Sequence, residues 1–199
     1  MLSGRKAGEC DLTTDLARAA EHAKYEQAYK IERYAMGQAR KRGAVRDLSD
    51  LPCRGSYLDV SCGRGEMLGS AEELGFHPVQ GTEIVSSLID GRRVVRAEVH
   101  DLPFGDRSFD VASMFDVIEH LVPGDDELAC RELARVAKRH ILLTANNRPS
   151  NSLGMELHIN RRPYDEWDAL FRKWFSGTVT WLKNAEGNIS ETWRIDLEG

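Results

Sequence analysis

The sequence predicts an α/β fold: a doubly wound, mostly parallel, seven-stranded sheet that ends in an antiparallel hairpin. Three observations carry that expectation. Short apolar segments alternate with helix-favouring ones between Tyr57 and Trp174. The first apolar segment runs into a glycine-rich turn that opens a helix. The last two, Thr178–Lys183 and Thr192–Leu197, flank only the turn-rich Asn184–Asn188. Strands separated by a helical crossover lie parallel, whereas a short turn pairs its strands antiparallel.

Taken in order, residues 1–12 read as a loose tail. From Thr13 to Arg46 the chain is helix-favouring and free of proline, and Tyr25, Ala28, Tyr29, Ile31 and Tyr34 form much of an apolar stripe. Within it, Arg40-Lys41-Arg42 reads as a solvated helix end, where cations suit the dipole. Asp50-Leu51-Pro52 breaks the helical segment, so a boundary is expected near residue 50, with the sheet domain at 51–199. The expected parallel strands are Tyr57–Val60, Pro78–Glu83, Val94–Val99, Phe109–Phe115 and Ile141–Ala145. Helices are expected at Gly65–Leu74, near Ser86–Asp90, at Glu127–Lys138 and at Pro163–Trp174, the last with proline in its first turn. In that last helix the spacing of Trp167, Leu170, Phe171 and Trp174 marks a core face.

A chain of 199 residues is one domain of ordinary size. Its net charge of −5 and pI near 5.7 provide no general attraction for nucleic acid or an anionic membrane. No apolar run is long enough to cross a bilayer, and residues 1–10 lack the apolar core of a signal peptide. Cys10, Cys53, Cys62 and Cys130 are widely spaced. Neither a disulfide framework nor a zinc site is expected, and a reducing, cytoplasmic setting follows.

The chemistry concentrates in Tyr57-Leu58-Asp59-Val60-Ser61-Cys62-Gly63-Arg64-Gly65-Glu66-Met67-Leu68. Residues without a Cβ let a ligand approach the backbone closely. Glu83 closes the next strand about twenty positions on, the spacing of a carboxylate that holds a ribose diol. A nicotinamide fingerprint would need glycine where Leu68 stands. An acid at Asp59 would repel a phosphate and attract an ammonium group. An adenosyl-ligand site is the reading that satisfies these features. Ser61 fits the pattern if its backbone keeps φ negative.

Asp59, Ser61, Gly63 and Gly65 resemble the first motif of class I S-adenosylmethionine-dependent methyltransferases, Asp/Glu-x-Gly-x-Gly-x-Gly, with Ser61 at the first glycine. The alternation of elements extends the resemblance over residues 55–199, to a Rossmann-like core similar to small-molecule methyltransferases of type 11. The resemblance implies S-adenosyl-L-methionine as cofactor and S-adenosyl-L-homocysteine as product, in a methyl transfer that requires no metal. It implies that Glu83 and Ile84 hold the ribose end, and that Asp101 and Leu102 recognise adenine. Phe115 and Asp116 would line the methionine end. In Asp116-Val117-Ile118-Glu119-His120, His120 would be a proton acceptor and Glu119 structural or a hydrogen-bonding group. The long connection Asn146–Asn160 would border the substrate mouth, with Asn146, Arg148 and His158 as candidates and His158 read as an exposed loop residue. The N-terminal helix would form a lid carrying Tyr29 or Tyr34. A small metabolite is the expected acceptor. A nucleic acid, a protein, or a non-catalytic cofactor-binding role are the alternatives.

Overall fold

The computed structural model describes residues 12–31, 38–152, 154–184, 187 and 189–198. The expected tail, but for Leu12, and Tyr34 lie outside the described residues. Five parallel strands form first: β1 (Tyr57–Asp59), β2 (Val79–Glu83), β3 (Val94–Arg96), β4 (Phe109–Met114) and β5 (Ala137–Thr144). A small hairpin of β6 (Asn151–Ser152) and β7 (Met155–Glu156) follows, then β8 (Gly177–Lys183) and β9 (Ile189–Leu197). The main sheet has the order β3-β2-β1-β4-β5-β9-β8, with β9 antiparallel to both neighbours. Strand order therefore reverses between β1 and β4, where Leu58 pairs with Ala112 and Asp59 with Ser113. A crevice at the carboxyl ends of these strands is the ligand position such a sheet creates.

Alternation along the strands builds two cores. On one face Leu58, Ala112, Met114, Ile141 and Leu143 pack against α4 (Asp125–Val136) and α5 (Tyr164–Trp174). On the other, Tyr57, Val111 and Leu142 pack against α2 (Gln38–Ser49) and α3 (Glu66–Glu73). Period-two side chains make each strand serve both layers. Trp167 and Phe171 are fully buried, as their helical spacing indicated.

Three boundaries differ from expectation. The N-terminal helical segment is two helices, α1 (Leu12–Ala28) and α2. Ala44 and Leu48 of α2 share a core cluster with Tyr57 and Leu142, so α2 belongs to the sheet's covering layer although it precedes residue 50. Helix α4 stops at Val136, and β5 begins at Ala137 because Ala137 pairs with Phe109. Sheet pairing takes over residues that helix propensity alone would have kept helical. Strand β3 ends at Arg96, opposite Glu83, and the chain then turns so that Glu98 bridges Asp101.

Replacing Leu143 with Ala should lower the unfolding free energy by about 2–5 kcal/mol, since the site is fully buried between strand and helix. Replacing Leu128, which is 42% exposed, should cost less than about 0.5 kcal/mol. Chemical denaturation of the two variants checks the contrast.

Candidate active site at the strand tips

The glycine turn is shaped by one carboxylate. Glu83 is 4% exposed, and its oxygens accept from the amides of Gly63 (2.9 Å), Ile84 (2.8 Å) and Val85 (3.1 Å). Burial pushes its pKa up, against the pull of those three donors. Gly63 has φ 56°, and a Cβ there would stand 2.6 Å from the Tyr29 hydroxyl. Ser61, expected at negative φ, instead has φ 57°. A side chain in that region costs about 1–2 kcal/mol. The Ser61 amide finds the Thr82 hydroxyl at 3.2 Å. Asp116 is also left-handed, φ 57°, with its amide on Thr144 Oγ1 at 2.7 Å. Two strained non-glycine residues thus line the same cleft at the switch point, a pattern common at binding sites.

Above them lies a cleft of about 120 Å³, lined by Ser61, Glu83, Ile84, Val99, Asp116 and His120 from the strand ends. Helix α1 covers it with Arg18, Glu21, His22 and Tyr25, and the turn after it with Tyr29, residues that recur at the helical repeat. The helix is tied down at four places. Arg18 Nε donates to Asp125 at 2.8 Å, and His22 Nε2 lies 3.1 Å from Glu98. Tyr25 Oη is 2.6 Å from His120 Nδ1, and Glu26 accepts from the Ser86 amide at 2.8 Å. At its end, Arg64 of the glycine turn donates to the carbonyls of Tyr29 and Ile31, where a cation suits the helix dipole.

The cleft wall holds five carboxylates (Glu21, Glu83, Glu98, Asp116 and Asp125) against one guanidinium, Arg18. Beside it, Asp59 is 3% exposed and accepts from Ser113 Oγ at 2.6 Å. Burial first, then the charges of Glu66 and Glu83, hold Asp59 up at about 7. Such a field suits a cationic ligand and opposes a pyrophosphate.

A second groove, of about 720 Å³, runs along α2 and shares Asp116 with the cleft. Arg40, Arg42, Arg46 and Arg148 line it, with Phe115 and Glu191. Arg40 Nη1 donates to Asp116 at 2.7 Å, and Arg148 lies 3.2 Å from Glu191. Arg40-Lys41-Arg42 is therefore the start of α2, not a helix end, and Arg40 finds its counter-charge on the sheet.

Of the expected site residues, Tyr29, Ser61, Glu83, Ile84, Asp116 and His120 meet at the cleft, with Gly63 directly under Tyr29. Gly65, φ 78°, opens α3. Phe115 and Arg148 face the second groove instead. Asn146 is buried, its side-chain oxygen accepting from the Arg148 amide at 2.8 Å. Asp101 and Leu102 do not line the cleft. Asp101 is exposed and outside the cleft wall. The Leu102 amide is taken by Glu132 (2.8 Å), and the Leu102 carbonyl by Arg135 (3.0 Å). Glu98, Val99 and His100 occupy the cleft there, because β3 ends three residues earlier than its apolar run suggested.

His158 is buried at 4% exposure, not an exposed loop residue, and its ring meets that of His120 at 4.6 Å and 83°. His120 is a poor proton acceptor: burial, then the His158 ring, push its pKa down to about 3. Its Nδ1 lies between the Tyr25 hydroxyl, at 2.6 Å, and the Leu157 carbonyl, at 3.0 Å. Glu119 is fully buried with neither oxygen partnered among the described residues, and burial with the Asp116 charge raises its pKa well above the usual range.

A sheet in this order, with an acidic cleft at its switch point, has the architecture of a Rossmann-like methyltransferase. Residues 58–143 match the methyltransferase-domain family, and this match together with the fold supports a class I S-adenosylmethionine-dependent methyltransferase with S-adenosylmethionine as its cofactor. Among solved structures it is similar to 1,6-didemethyltoxoflavin-N1-methyltransferase of Burkholderia thailandensis, with 15% identity over all of this chain and 94% of that one, at a TM-score of 0.67. It is also similar to the PH0226 protein of Pyrococcus horikoshii, with 17% identity over 82% and 93% of the two chains and a TM-score of 0.63. A complex of the Trm112 methyltransferase activator with a methyltransferase of Haloferax volcanii matches at 13% identity, over 93% and 96% of the chains, with a TM-score of 0.59. No protein of curated function matches the sequence. No helix among the described residues is long and apolar enough to cross a membrane.

The His22–Glu98 pair makes the seating of α1 depend on pH. Its hydrogen bond to Glu98 raises His22 above the ordinary 6.5, and the bond to His22 lowers Glu98 below the ordinary 4.5. The raised histidine contributes stability that is complete below 6.5 and lost as pH rises through its folded value. The lowered glutamate contributes stability that is lost as pH falls through its own. Hydrogen exchange across α1, corrected for intrinsic rates, should therefore be slower at about pH 6 than at about pH 9. Replacing His22 with Gln should flatten that dependence.

Proposed function

We propose that the chain transfers a methyl group to an oxygen or nitrogen of a small, anionic metabolite. Asp116 carries this reading, because it lines both the acidic cleft and the arginine-lined groove and so marks where cofactor and acceptor would meet. S-adenosylmethionine supplies a methyl group on a positively charged sulfur. Glu83 and Ile84 would hold its ribose end, Val99 and Glu98 its adenine, and Asp59 and Asp116 its cationic methionine end. The acceptor would enter along α2, where Arg42 and Arg148 meet its negative charge. Alignment of acceptor atom, methyl and sulfur supplies most of the rate in such a displacement. Helix α1 acts as the lid over the cofactor, and a cytoplasmic setting belongs to the same proposal. The Burkholderia neighbour, with its bound 1,6-didemethyltoxoflavin and S-adenosylhomocysteine, supports an acceptor of this size. The four arginines also favour a second reading, a nucleic-acid acceptor whose phosphates would track the open groove.

S-adenosylhomocysteine formation from a metabolite extract, split by size, tests the proposal. Turnover confined to the small-molecule fraction is expected. Turnover confined to polynucleotide, with steep salt dependence, would select the second reading. Cofactor binding has its own signature in Asp59. A bound cation pulls that carboxyl down from about 7, so binding releases a proton and should tighten between about pH 6 and pH 7. Replacing Asp59 with Asn should remove this pH dependence and weaken binding about tenfold or more, as read by titration calorimetry.

A further inference from the structure

The group Glu119, His120 and His158 is assembled by contacts between separate segments of the chain. One ligand atom from each, a carboxylate oxygen or a ring nitrogen, lies within 4.8 Å of the other two. The connection after β5 is clipped onto the turn Ile118–His120 by backbone. The Asn160 amide donates to the Glu119 carbonyl at 2.9 Å, and the Leu157 amide to the Ser150 carbonyl at 2.8 Å. The His158 amide is held by Glu156 at 2.9 Å. These bonds bring His158 across 38 residues to stand against His120.

We propose that Glu119, His120 and His158 form a binding site for a divalent transition-metal ion beside the acceptor end of the cleft. The Glu119 carboxyl is fully buried, and neither oxygen has a partner among the described residues. A buried carboxylate without donors is costly, and a cation supplies what is missing. Both imidazoles are prepared in the way metal-bound histidines usually are. His158 Nδ1 lies 2.6 Å from the Arg148 carbonyl, and His120 Nδ1 lies 3.0 Å from that of Leu157. A carbonyl only accepts, so His158 Nδ1 carries hydrogen and its Nε2 lone pair is left to bind, while His120 Nδ1 is held between the Leu157 carbonyl and the Tyr25 hydroxyl at 2.6 Å and frees its Nε2 lone pair in the tautomer that donates to that carbonyl. Two imidazoles and a carboxylate favour Zn²⁺, Co²⁺ or Mn²⁺ over Mg²⁺ and Ca²⁺, which prefer oxygen alone.

Three protein ligands leave room for an exchangeable one, and His120 lines the cleft beside Asp116. An acceptor hydroxyl that binds there gives an oxygen lone pair to the ion and loses its proton to solvent water. The oxygen then attacks the methyl carbon, and the carbon–sulfur electron pair leaves with sulfur. This role rests on the oxygen-acceptor reading above, whereas the site itself does not.

The test titrates chelator-stripped protein with Co²⁺ and reads its visible absorption, with S-adenosylhomocysteine binding measured on the same samples. One Co²⁺ per chain is expected, with the intense bands of a four- or five-coordinate ion. Glu119→Gln and His158→Asn should each weaken Co²⁺ binding about 100-fold or more and leave S-adenosylhomocysteine affinity within about twofold. X-ray absorption of the wild-type Zn²⁺ adduct should show two imidazoles and oxygen donors, which keeps the test decisive if a variant misfolds. No Co²⁺ or Zn²⁺ binding, a response to Mg²⁺ alone, or binding indifferent to both substitutions would overturn the site. Loss of S-adenosylhomocysteine binding in the wild type would instead strike the methyltransferase reading.

Discussion

The carboxylate of Glu83 is the contact on which the site depends. It ends β2, reaches back to the Gly63 amide of the turn after β1, and takes up the amides of its own successors Ile84 and Val85. Four backbone and side-chain groups that would otherwise be buried without partners satisfy one another there. The arrangement needs β1 and β2 to be neighbours in register, which the pairing of Asp59 with Gly81 provides. It also leaves a negative charge at low exposure beside Asp59, so the strand tips form an acidic field. The preference for a cationic cofactor is thus built into the same bonds that shape the glycine turn.

The cover over this site is made differently from its floor. The sheet is held by two apolar cores, but Ala28 is the one fully buried side chain of α1 among the described residues. The helix is fastened by hydrogen bonds and ion pairs to the segments following β2, β3 and β4. Partly exposed pairs of this kind are individually weak, so such a helix is the element most readily released. Because the four fastenings reach the segments after three different strands, the cover and the cleft wall share residues. This couples the seating of α1 to the state of the groups beneath it.

Several residues took roles that local pattern did not reveal, for definite reasons. The apolar run Val94–Val99 reads as one strand, but its pairing partner β2 ends at Glu83, so the ladder stops at Arg96 and Glu98 reaches the cleft three residues before Asp101. Leu102 lost its expected ligand contact to a carboxylate on α4, thirty residues on, that no local spacing announces. The cleft-facing stripe of α1 is polar, so a search for apolar periodicity finds Tyr25 and Tyr29 and passes over Arg18 and His22. His158 sits in a connection with weak local pattern, and only a two-strand clip and a backbone hydrogen bond place it against His120.

What the sequence determined by itself was whatever depends on near neighbours in the chain. Alternating periodicities specified the five parallel strands and the terminal hairpin, and the spacing from the glycine turn to Glu83 specified an adenosyl-type site, because both are consequences of short-range geometry. Tertiary structure decided what depends on where separate elements stop and meet. It set the end of β3, the left-handed backbone of Ser61 and Asp116, the polar underside of α1, and the meeting of Glu119, His120 and His158. Each of these is a compromise between a local preference and a partner dozens of residues away, and hydrogen-bond satisfaction in the buried interior is the term that settles it.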